Sequence, residues 1–129
     1  MADVLPDEAE ILLAEESVMA HLATCSDGRP HVAPVWYHYA DGTVSILTGG
    51  RKLENLRENP RVAVSIQKDI AGTAEWKVTM LGTARVIEDK EEALKAAERI
   101  NPRYGADVDA YPENTLVRID VGSGTFMRY

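Results

Sequence analysis

The alternation of apolar and polar residues along the chain predicts a series of short β-strands joined by tight turns. The predicted strands cover residues 18–25, 30–39, 43–47, 62–67, 75–87, 115–121 and 125–129. Three helical patterns accompany them, at residues 6–14, 51–58 and 89–100. The dipeptides Asp27-Gly28 and Asp41-Gly42 stand between predicted strands, and Asp-Gly is a strong hairpin signal. The pattern indicates a mainly β fold, and a small antiparallel barrel would leave few exposed strand edges.

Several residues are informative about particular strands. Pro34 has no backbone N–H to donate, so its strand is predicted to lie at a sheet edge or to bulge there. Gly82 interrupts the longest predicted strand and is predicted to mark a β-bulge. The aromatic residues Trp36, Tyr37 and Tyr39 follow Pro34, and they fit a buried core and the wall of a ligand pocket about equally well.

Composition and charge narrow the class of protein. The chain has 129 residues, of which 45% are hydrophobic and 27% charged, and this predicts one globular domain spanning residues 1–129. A formal net charge of −7 argues against nucleic-acid binding, which needs a basic surface. No apolar run is long enough to cross a membrane, residues 1–20 lack the basic start of a signal peptide, and Cys25 is the lone cysteine. We therefore expect a cytoplasmic protein with no membrane or nucleic-acid partner.

Residues 47–56 combine the features of an anion-binding site. The chain passes from the predicted strand 43–47 through Gly49 and Gly50 directly into a helical pattern. The first N–H groups of a helix lack internal partners and carry partial positive charge, so a helix start attracts anions. The two glycines let the backbone approach a ligand closely.

Three side chains strengthen this interpretation. Arg51 and Lys52 add two positive charges at the helix start, and Thr48 adds a hydroxyl just before it. We interpret the segment as a phosphate cradle. The alternative is a hairpin corner followed by a solvated basic turn, because short motifs match by chance, and neither the P-loop spacing nor the dinucleotide fingerprint is present.

The remaining residues predict no metal site and identify no catalytic residue. His31 and His38 are separated by an odd number of positions, so a regular strand would point them to opposite faces. A metal site needs three or four converging ligands, and His21 does not complete such a set by its position in the sequence. No order of serine, histidine and aspartate suggests a hydrolase, and no general acid or base is evident.

Several short segments occur in a characteristic order: His21-Leu22-Ala23-Thr24, Asp27-Gly28-Arg29-Pro30, Pro34-Val35-Trp36, Thr48, Arg51-Lys52, Asn55-Leu56 and Pro60-Arg61-Val62. Their order and spacing resemble the pyridoxamine 5′-phosphate oxidase-like flavin-binding split-barrel superfamily, over about residues 5–129 and most closely over 19–66.

This resemblance implies a six-stranded antiparallel split β-barrel and a homodimer with two cofactor sites along the subunit interface. It implies FMN as the cofactor or, in one branch, the deazaflavin F420. Gln67 and Trp76 match the superfamily pattern less closely than the others, and a core or interface tryptophan is an equal alternative for Trp76. Carried over position by position, the resemblance assigns cofactor-binding roles to Pro34, Val35, Trp36, Thr48, Gly50, Arg51, Lys52, Asn55, Gln67 and Trp76.

The choice of cofactor depends on charge. F420 carries a long anionic polyglutamate tail, which would favour a track of basic residues, whereas FMN ends in a single phosphate. The residues beyond the cradle are mixed in charge rather than uniformly basic, because Arg57, Arg61 and Lys68 lie among Glu54, Glu58 and Asp69. FMN is therefore preferred, with F420 as the alternative.

Three functions fit the resemblance. The first is a flavin-dependent oxidoreductase whose substrate and electron donor the sequence does not identify. The second is an F420-dependent reductase, and the third is a non-enzymatic module that binds flavin or haem. The chain is shorter than the vitamin B6 oxidases and ends at Met127-Arg128-Tyr129, without their C-terminal substrate-phosphate residues, so pyridoxamine phosphate oxidation is not expected. The pair Arg51 and Lys52 argues against a barrel that has lost cofactor binding.

Overall fold

A computed structural model describes residues 4–129 as one seven-stranded antiparallel sheet with three α-helices. The helices are α1 (Asp7–Glu15), α2 (Gly50–Glu58) and α3 (Lys90–Ile100), and a 3₁₀ turn, Asn101–Tyr104, follows α3. The strands are β1 (Ala20–Ser26), β2 (Arg29–Val35), β3 (His38–Ala40), β4 (Thr43–Thr48), β5 (Arg61–Ile70), β6 (Thr73–Ile87) and β7 (Thr115–Arg128). The predicted mainly β class is confirmed. No helix within residues 4–129 is long and apolar enough to cross a membrane.

The sheet has the strand order β2-β1-β5-β6-β7-β4-β3, so β2 and β3 form its two edges although they are neighbours in the chain. Only Trp36 and Tyr37 separate these strands, and three Cα–Cα steps span at most about 11 Å, so the sheet curls until its edges approach each other. Within residues 4–129 no hydrogen-bonded pairing joins β2 to β3. The prediction of a six-stranded antiparallel split barrel is therefore confirmed in its mainly β, antiparallel character, while the strand count is seven and closure between β2 and β3 is not detected within these residues.

The predicted strand 30–39 is divided into β2 and β3 because Tyr37, which lies between them, makes its hydrogen bonds outside the sheet. Its backbone N–H donates to the hydroxyl of Tyr104 at 3.3 Å instead of to a neighbouring strand. Its own hydroxyl donates to the carbonyl oxygen of Leu13, at the end of α1, at 3.0 Å. The prediction that Pro34 lies on an edge strand is confirmed, since β2 pairs with β1 alone.

The main core fills the inner face of the curled sheet. Alternate residues of all seven strands point inward, and α1 contributes Ala9 and Leu13, each fully buried. The largest side chain in this core is Trp76, which is 1% exposed. Tyr37 and Tyr39 are also buried there, so two of the three aromatic residues after Pro34 are core residues.

Helix α3 packs on the outer face of the sheet and forms a second, smaller core. Leu47, Leu116 and Ile87 lie in one cross-strand row of β4, β7 and β6, and this row contacts α3. Asp89 caps the helix by accepting hydrogen bonds from the first-turn N–H groups, as expected for a residue at this position. Leu94 is 62% exposed because the helix turns Ala96, Ala97 and Ile100 toward the sheet.

Strand β7 is continuous where the sequence predicted two strands. The β6–β7 pairing shifts between Leu81 and Gly82, leaving Gly122 of β7 as the extra residue. The predicted bulge is thus present, with its extra residue in the partner strand. Gly82 is required opposite it, since a Cβ there would lie 2.7 Å from the carbonyl oxygen of Asp120.

Candidate functional site

A partly apolar opening beside the start of α2 lies between β2, β4 and the loop that follows α3. We call it the aromatic cleft, and its volume is about 530 Å³, within the range of small-molecule sites. Its lining residues are Met19, Pro34, Val35, Trp36, Leu47, Thr48, Gly49, Gly50, Lys52, Ile100, Asn101, Ala110, Tyr111, Glu113 and Asn114. One side is apolar and aromatic, and the other is formed by the start of α2.

The α2 end of the cleft has the features of an anion site. β4 ends at Thr48 and α2 begins at Gly50, as the predicted strand, glycine turn and helix require. Gly50 has φ of 62°, a left-handed conformation that favours glycine. Within residues 4–129 no side chain caps this helix start, and its first turn contains no acidic residue. The N–H groups of this helix start and Lys52 therefore provide a setting at the cleft that favours an anion.

The opposite wall of the cleft is a cluster of aromatic rings. The indole of Trp36 stacks on the ring of Tyr104 with centroids 5.0 Å apart and planes at 3°. Tyr111 meets the same indole edge-on at 5.9 Å. The hydroxyl of Tyr104 donates to the carbonyl oxygen of Val18 at 2.8 Å. This network fixes the orientation of Trp36, which gives a flat ring a rigid surface to pack against.

Polar contacts hold the loop that carries these rings. The side-chain amide of the buried Asn101 donates to the carbonyl oxygens of Asp107 and Val108, at 3.1 and 3.3 Å. Arg103 donates to the carbonyl oxygens of Leu13 and Glu16, where α1 ends, and its guanidinium lies 4.8 Å from the ring centre of Tyr37. A cation at a helix C-terminus is favourable, so these contacts tie the loop to α1.

Six of the ten predicted cofactor-binding residues meet at this cleft: Pro34, Val35, Trp36, Thr48, Gly50 and Lys52. Arg51 and Asn55 line a neighbouring cleft on the other side of α2, together with residues of the β1–β2 turn. Arg51 is exposed and lies 4.0 Å from Glu54. Asn55 is buried, and its amide donates to the hydroxyl of Thr24 at 3.1 Å, which fastens α2 to β1.

The other two predicted residues lie away from the aromatic cleft. Gln67 is on the exposed face of β5, where its amide donates to the carboxylate of Asp69 at 2.7 Å. Trp76 is in the main core, which favours the core alternative for this tryptophan. Neither side chain lines the cleft in a single chain.

Sequence comparison decides the family. The sequence profile of the pyridoxamine 5′-phosphate oxidase family matches residues 5–127, nearly the whole chain. The chain belongs to this family. Pyridoxamine 5′-phosphate oxidase family members typically bind a flavin or F420. No curated protein sequence matches the chain.

Solved structures from several proteins share the fold. A conserved hypothetical protein from Mycobacterium tuberculosis is 28% identical, with a TM-score of 0.80 over 99% of this chain and 88% of that one. An F420 reductase is 21% identical, with a TM-score of 0.77 over 94% and 98%. A haem storage protein from Vibrio cholerae is 19% identical, with a TM-score of 0.77 over 95% and 93%. The family fold therefore occurs with different ligands.

Sequence reasoning missed the part of the aromatic cleft contributed by the loop after α3, where residues 101–112 were predicted only as an irregular segment. Tyr111 and Asn114 line the cleft from this loop, Tyr104 of the same loop stacks on Trp36, and Met19 comes from the residue just before β1. Two tyrosines in an otherwise polar loop were the available signal, because an ordered loop needs side chains that anchor it. Tyr111 has φ of 54°, an uncommon conformation for a large side chain, and such residues are often found at functional sites.

Burial and charge shift the pKa values of groups beside the cleft. Burial raises the pKa of Tyr37 to about 12, and burial also raises the pKa of Tyr104, so both hydroxyls remain protonated donors at neutral pH. Burial, together with Arg103 and Arg99, lowers the pKa of His38 below its ordinary value of 6.5. Within residues 4–129 no group of three or more metal-ligating side chains comes together.

Proposed function

We propose that this chain is an FMN-dependent oxidoreductase of the pyridoxamine 5′-phosphate oxidase family that acts as a homodimer. The observation that carries the proposal is the two-sided aromatic cleft, with a rigid aromatic wall at one side and an uncapped helix start with Lys52 at the other. FMN has a planar ring system, which suits the aromatic wall, and one phosphate, which suits the helix start.

The residues present fit that cofactor. The N–H groups at the start of α2, the hydroxyl of Thr48 and the ammonium of Lys52 would hold the phosphate. The backbone of Pro34 and Val35 and the indole of Trp36 would lie beside the ring. The bound flavin would supply the redox chemistry, while the protein contributes binding, orientation and exclusion of water.

FMN is favoured over F420 by charge at the phosphate end. Lys52 lines the cleft there, whereas Arg51 faces the neighbouring cleft, and that cleft also contains the carboxylates of Asp27, Glu54 and Glu58. An anionic tail leaving the phosphate in that direction would meet three carboxylates against the two cations Arg29 and Arg51. A single terminal phosphate would not.

The homodimer is supported by an uncharged patch on the outer face of the sheet. Residues opposite each other in antiparallel strands share a face. One row is Val32, Ala23, Ala63, Leu81 and Ser123, and the next is Pro34, His21, Ser65, Thr79 and Thr125. Neither row contains Asp, Glu, Lys or Arg, although such residues make up 27% of the chain. Val32 and Leu81 are 65% and 58% exposed, so the patch suits contact with a second copy.

This uncharged patch also borders the cofactor cleft. Pro34 belongs both to the second row and to the lining of the aromatic cleft, and Met19, 37% exposed, precedes β1 at the same place. A second copy seated on the patch would therefore cover the open side of the cleft. Gln67 lies on this face as well, in the row that continues to Lys77 and Met127, so the partner would face it.

Cofactor titration tests the proposed chemistry. Calorimetry with cofactor-free protein, FMN and F420 in matched salt should show tighter binding of FMN. Reduction of the bound flavin by a nicotinamide and its reoxidation by an acceptor would distinguish an oxidoreductase from a carrier. Tighter binding of F420 would overturn the choice of cofactor, and binding without turnover would overturn the enzymatic assignment.

Light scattering tests the dimer. The protein should have the mass of a dimer at micromolar concentration, and Leu81→Glu should shift it to a monomer by burying a charge in the interface. Ile11→Glu is the matched control, because Ile11 is 55% exposed on α1, away from the uncharged patch. A wild-type monomer, or equal effects of both variants, would contradict the proposed interface.

A further inference from the structure

A second cleft, formed by α3 and four strands, has an unexpected charge. We call it the basic cleft; it has a volume of about 450 Å³ and is lined by His38, Ala40, Thr43, Ser45, Arg85, Glu92, Lys95, Ala96, Arg99 and Arg118. Four of these residues are cationic and one is acidic, although the whole chain has a net charge of −7. This reversal of charge is local and needs a physical explanation.

The strand register places the cationic side chains together. His38, Ser45, Arg118 and Arg85 form one cross-strand row through β3, β4, β7 and β6. Arg118 and Arg85 are directly opposite each other, an arrangement that is destabilising for like charges. The fold retains this pair at the surface, where both guanidinium groups are half-exposed.

The nearby carboxylates do not neutralise the cluster. Asp120 accepts hydrogen bonds from Arg85, and Glu92 pairs with Arg118 at 2.7 Å and lies 3.9 Å from Lys95. Within the described chain no carboxylate lies at salt-bridge distance from Arg99. Two carboxylates thus oppose four cations, which leaves an excess of two positive charges facing the cleft.

The basic cleft lies next to the aromatic cleft. Along β4, Ser45 lines the basic cleft and Leu47, on the same face of the strand, lines the aromatic cleft about 7 Å further along. Leu47 and Trp36 also pack against α3 in the smaller core, and Trp36 is two residues from His38, which lines the basic cleft. A cofactor with a single phosphate at the start of α2 would leave the basic cleft unoccupied.

We propose that the basic cleft binds a phosphate group, or an equivalent dianion, of the second ligand in the redox reaction, whose reacting part enters the aromatic cleft. This assignment rests on the proposed function for the position of the reacting part. The guanidinium groups of Arg99 and Arg118 supply paired donors of the kind that phosphate oxygens accept, and Lys95 adds a mobile charge. The substrate or electron donor is accordingly phosphorylated, or carries two carboxylates at the end that does not react.

Pyrophosphate titration of isotope-labelled, cofactor-free protein tests the site by NMR. We expect saturable shifts of the Ser45 and Ala96 amides, separate from those of Gly49 and Gly50. Arg99→Gln should weaken the first set about tenfold and leave the second set unchanged. Because the probe needs no flavin, this result is independent of whether FMN binds.

Two variants control for charge and for the cofactor site. Arg61→Gln removes one positive charge from an exposed residue outside both clefts and should leave both sets of shifts unchanged. Lys52→Gln should weaken only the Gly49 and Gly50 shifts. Shifts confined to Gly49 and Gly50, or equal losses in the Arg61 and Arg99 variants, would overturn the site.

A final titration separates the second ligand from a cofactor tail. Protein loaded with FMN, and protein loaded with F420, should both still bind pyrophosphate at the basic cleft. If F420 alone abolishes the Ser45 and Ala96 response, the cleft holds the tail of that cofactor, and the assignment to a second ligand is wrong.

Discussion

The side-chain amide of Asn55 donates a hydrogen bond to the hydroxyl of Thr24 at 3.1 Å, and both residues are buried. This bond joins the helix that carries the proposed phosphate site to the first strand of the sheet. The N–H groups of a helix start bind an anion well only if the helix is held in place. Asn55 therefore acts on the cofactor site through the position of α2.

Breaking this bond should destabilise the protein. Asn55→Ala leaves the Thr24 hydroxyl buried without its partner, and we expect the free energy of unfolding to fall by about 1–3 kcal/mol. In a double-mutant cycle of wild type, Asn55→Leu, Thr24→Val and the double variant, the double variant should cost less than the sum of the two single changes, since it removes both polar groups. Urea unfolding of the four proteins measures this, and strictly additive losses would show that the bond has no coupling energy.

The stack of Trp36 on Tyr104 should matter more for ligand binding than for folding. Tyr104→Phe keeps the stacked ring but loses the hydrogen bonds to the carbonyl oxygen of Val18 and from the N–H of Tyr37, and we expect a loss of about 1–3 kcal/mol of stability with FMN affinity nearly unchanged. Tyr104→Leu also removes the stack, worth about 0.5–1.5 kcal/mol, and frees Trp36. Flavin titration should then show weaker binding in the leucine variant alone. Equal affinity in both variants would remove the stack from the site.

The two cations at the start of α2 should differ in importance. Lys52→Gln should weaken FMN binding by about 1.5–3 kcal/mol, the range for hydrogen bonds to charged groups. Arg51→Gln should have a smaller effect, because Arg51 lines the neighbouring cleft beside Glu54. Fluorescence quenching of FMN measures both, with Arg61→Gln as the charge-matched control. A larger loss in the Arg51 variant would place the phosphate on the other side of α2.

Trp76 should affect stability rather than cofactor contact. Its burial in the main core predicts that Trp76→Ala lowers the free energy of unfolding by about 3–5 kcal/mol, and that Trp76→Phe costs less. Under conditions where Trp76→Phe is fully folded, its FMN affinity should equal that of wild type. A folded phenylalanine variant with weakened FMN binding would instead support a direct cofactor role.

His38 should make stability depend on pH. Because its pKa is lower in the folded protein than in the unfolded chain, the unfolded chain binds more protons below about pH 6.5. This contribution to stability is present above that pH and is lost as the pH falls through the folded pKa. The stability of His38→Gln should therefore change less between pH 7 and pH 5. Arg99→Gln should raise the His38 pKa measured by NMR, and an unchanged value would contradict the assigned cause.

The local part of the fold was predictable from sequence. The strand, glycine turn and helix at residues 43–58 were predicted from neighbouring residues, because strand alternation and helix starts are short-range properties. Pro34 indicated an edge strand for the same reason, since the missing N–H is a property of that residue alone. Six predicted residues consequently meet at one cleft.

The remaining features depend on contacts between residues distant in sequence. Tyr104 reaches Trp36 only after α3 has packed on the sheet, and the basic cleft exists because register places Arg118 opposite Arg85. Neither relationship has a local sequence signal. The two predicted strands at 115–121 and 125–129 were separated because the bulge reverses the alternation, which resembles a strand break.

The bulge at Gly122 constrains how the length of this chain can change during evolution. Before it, Val117 and Ile119 face the core, and after it Phe126 does, so the inward positions change from odd to even numbers. Loss of that one residue would turn every later side chain of β7 to the opposite face. Relatives that keep this core should therefore vary in length at hairpin tips such as Asp27-Gly28, while the spacing between Ile119 and Phe126 is inherited unchanged.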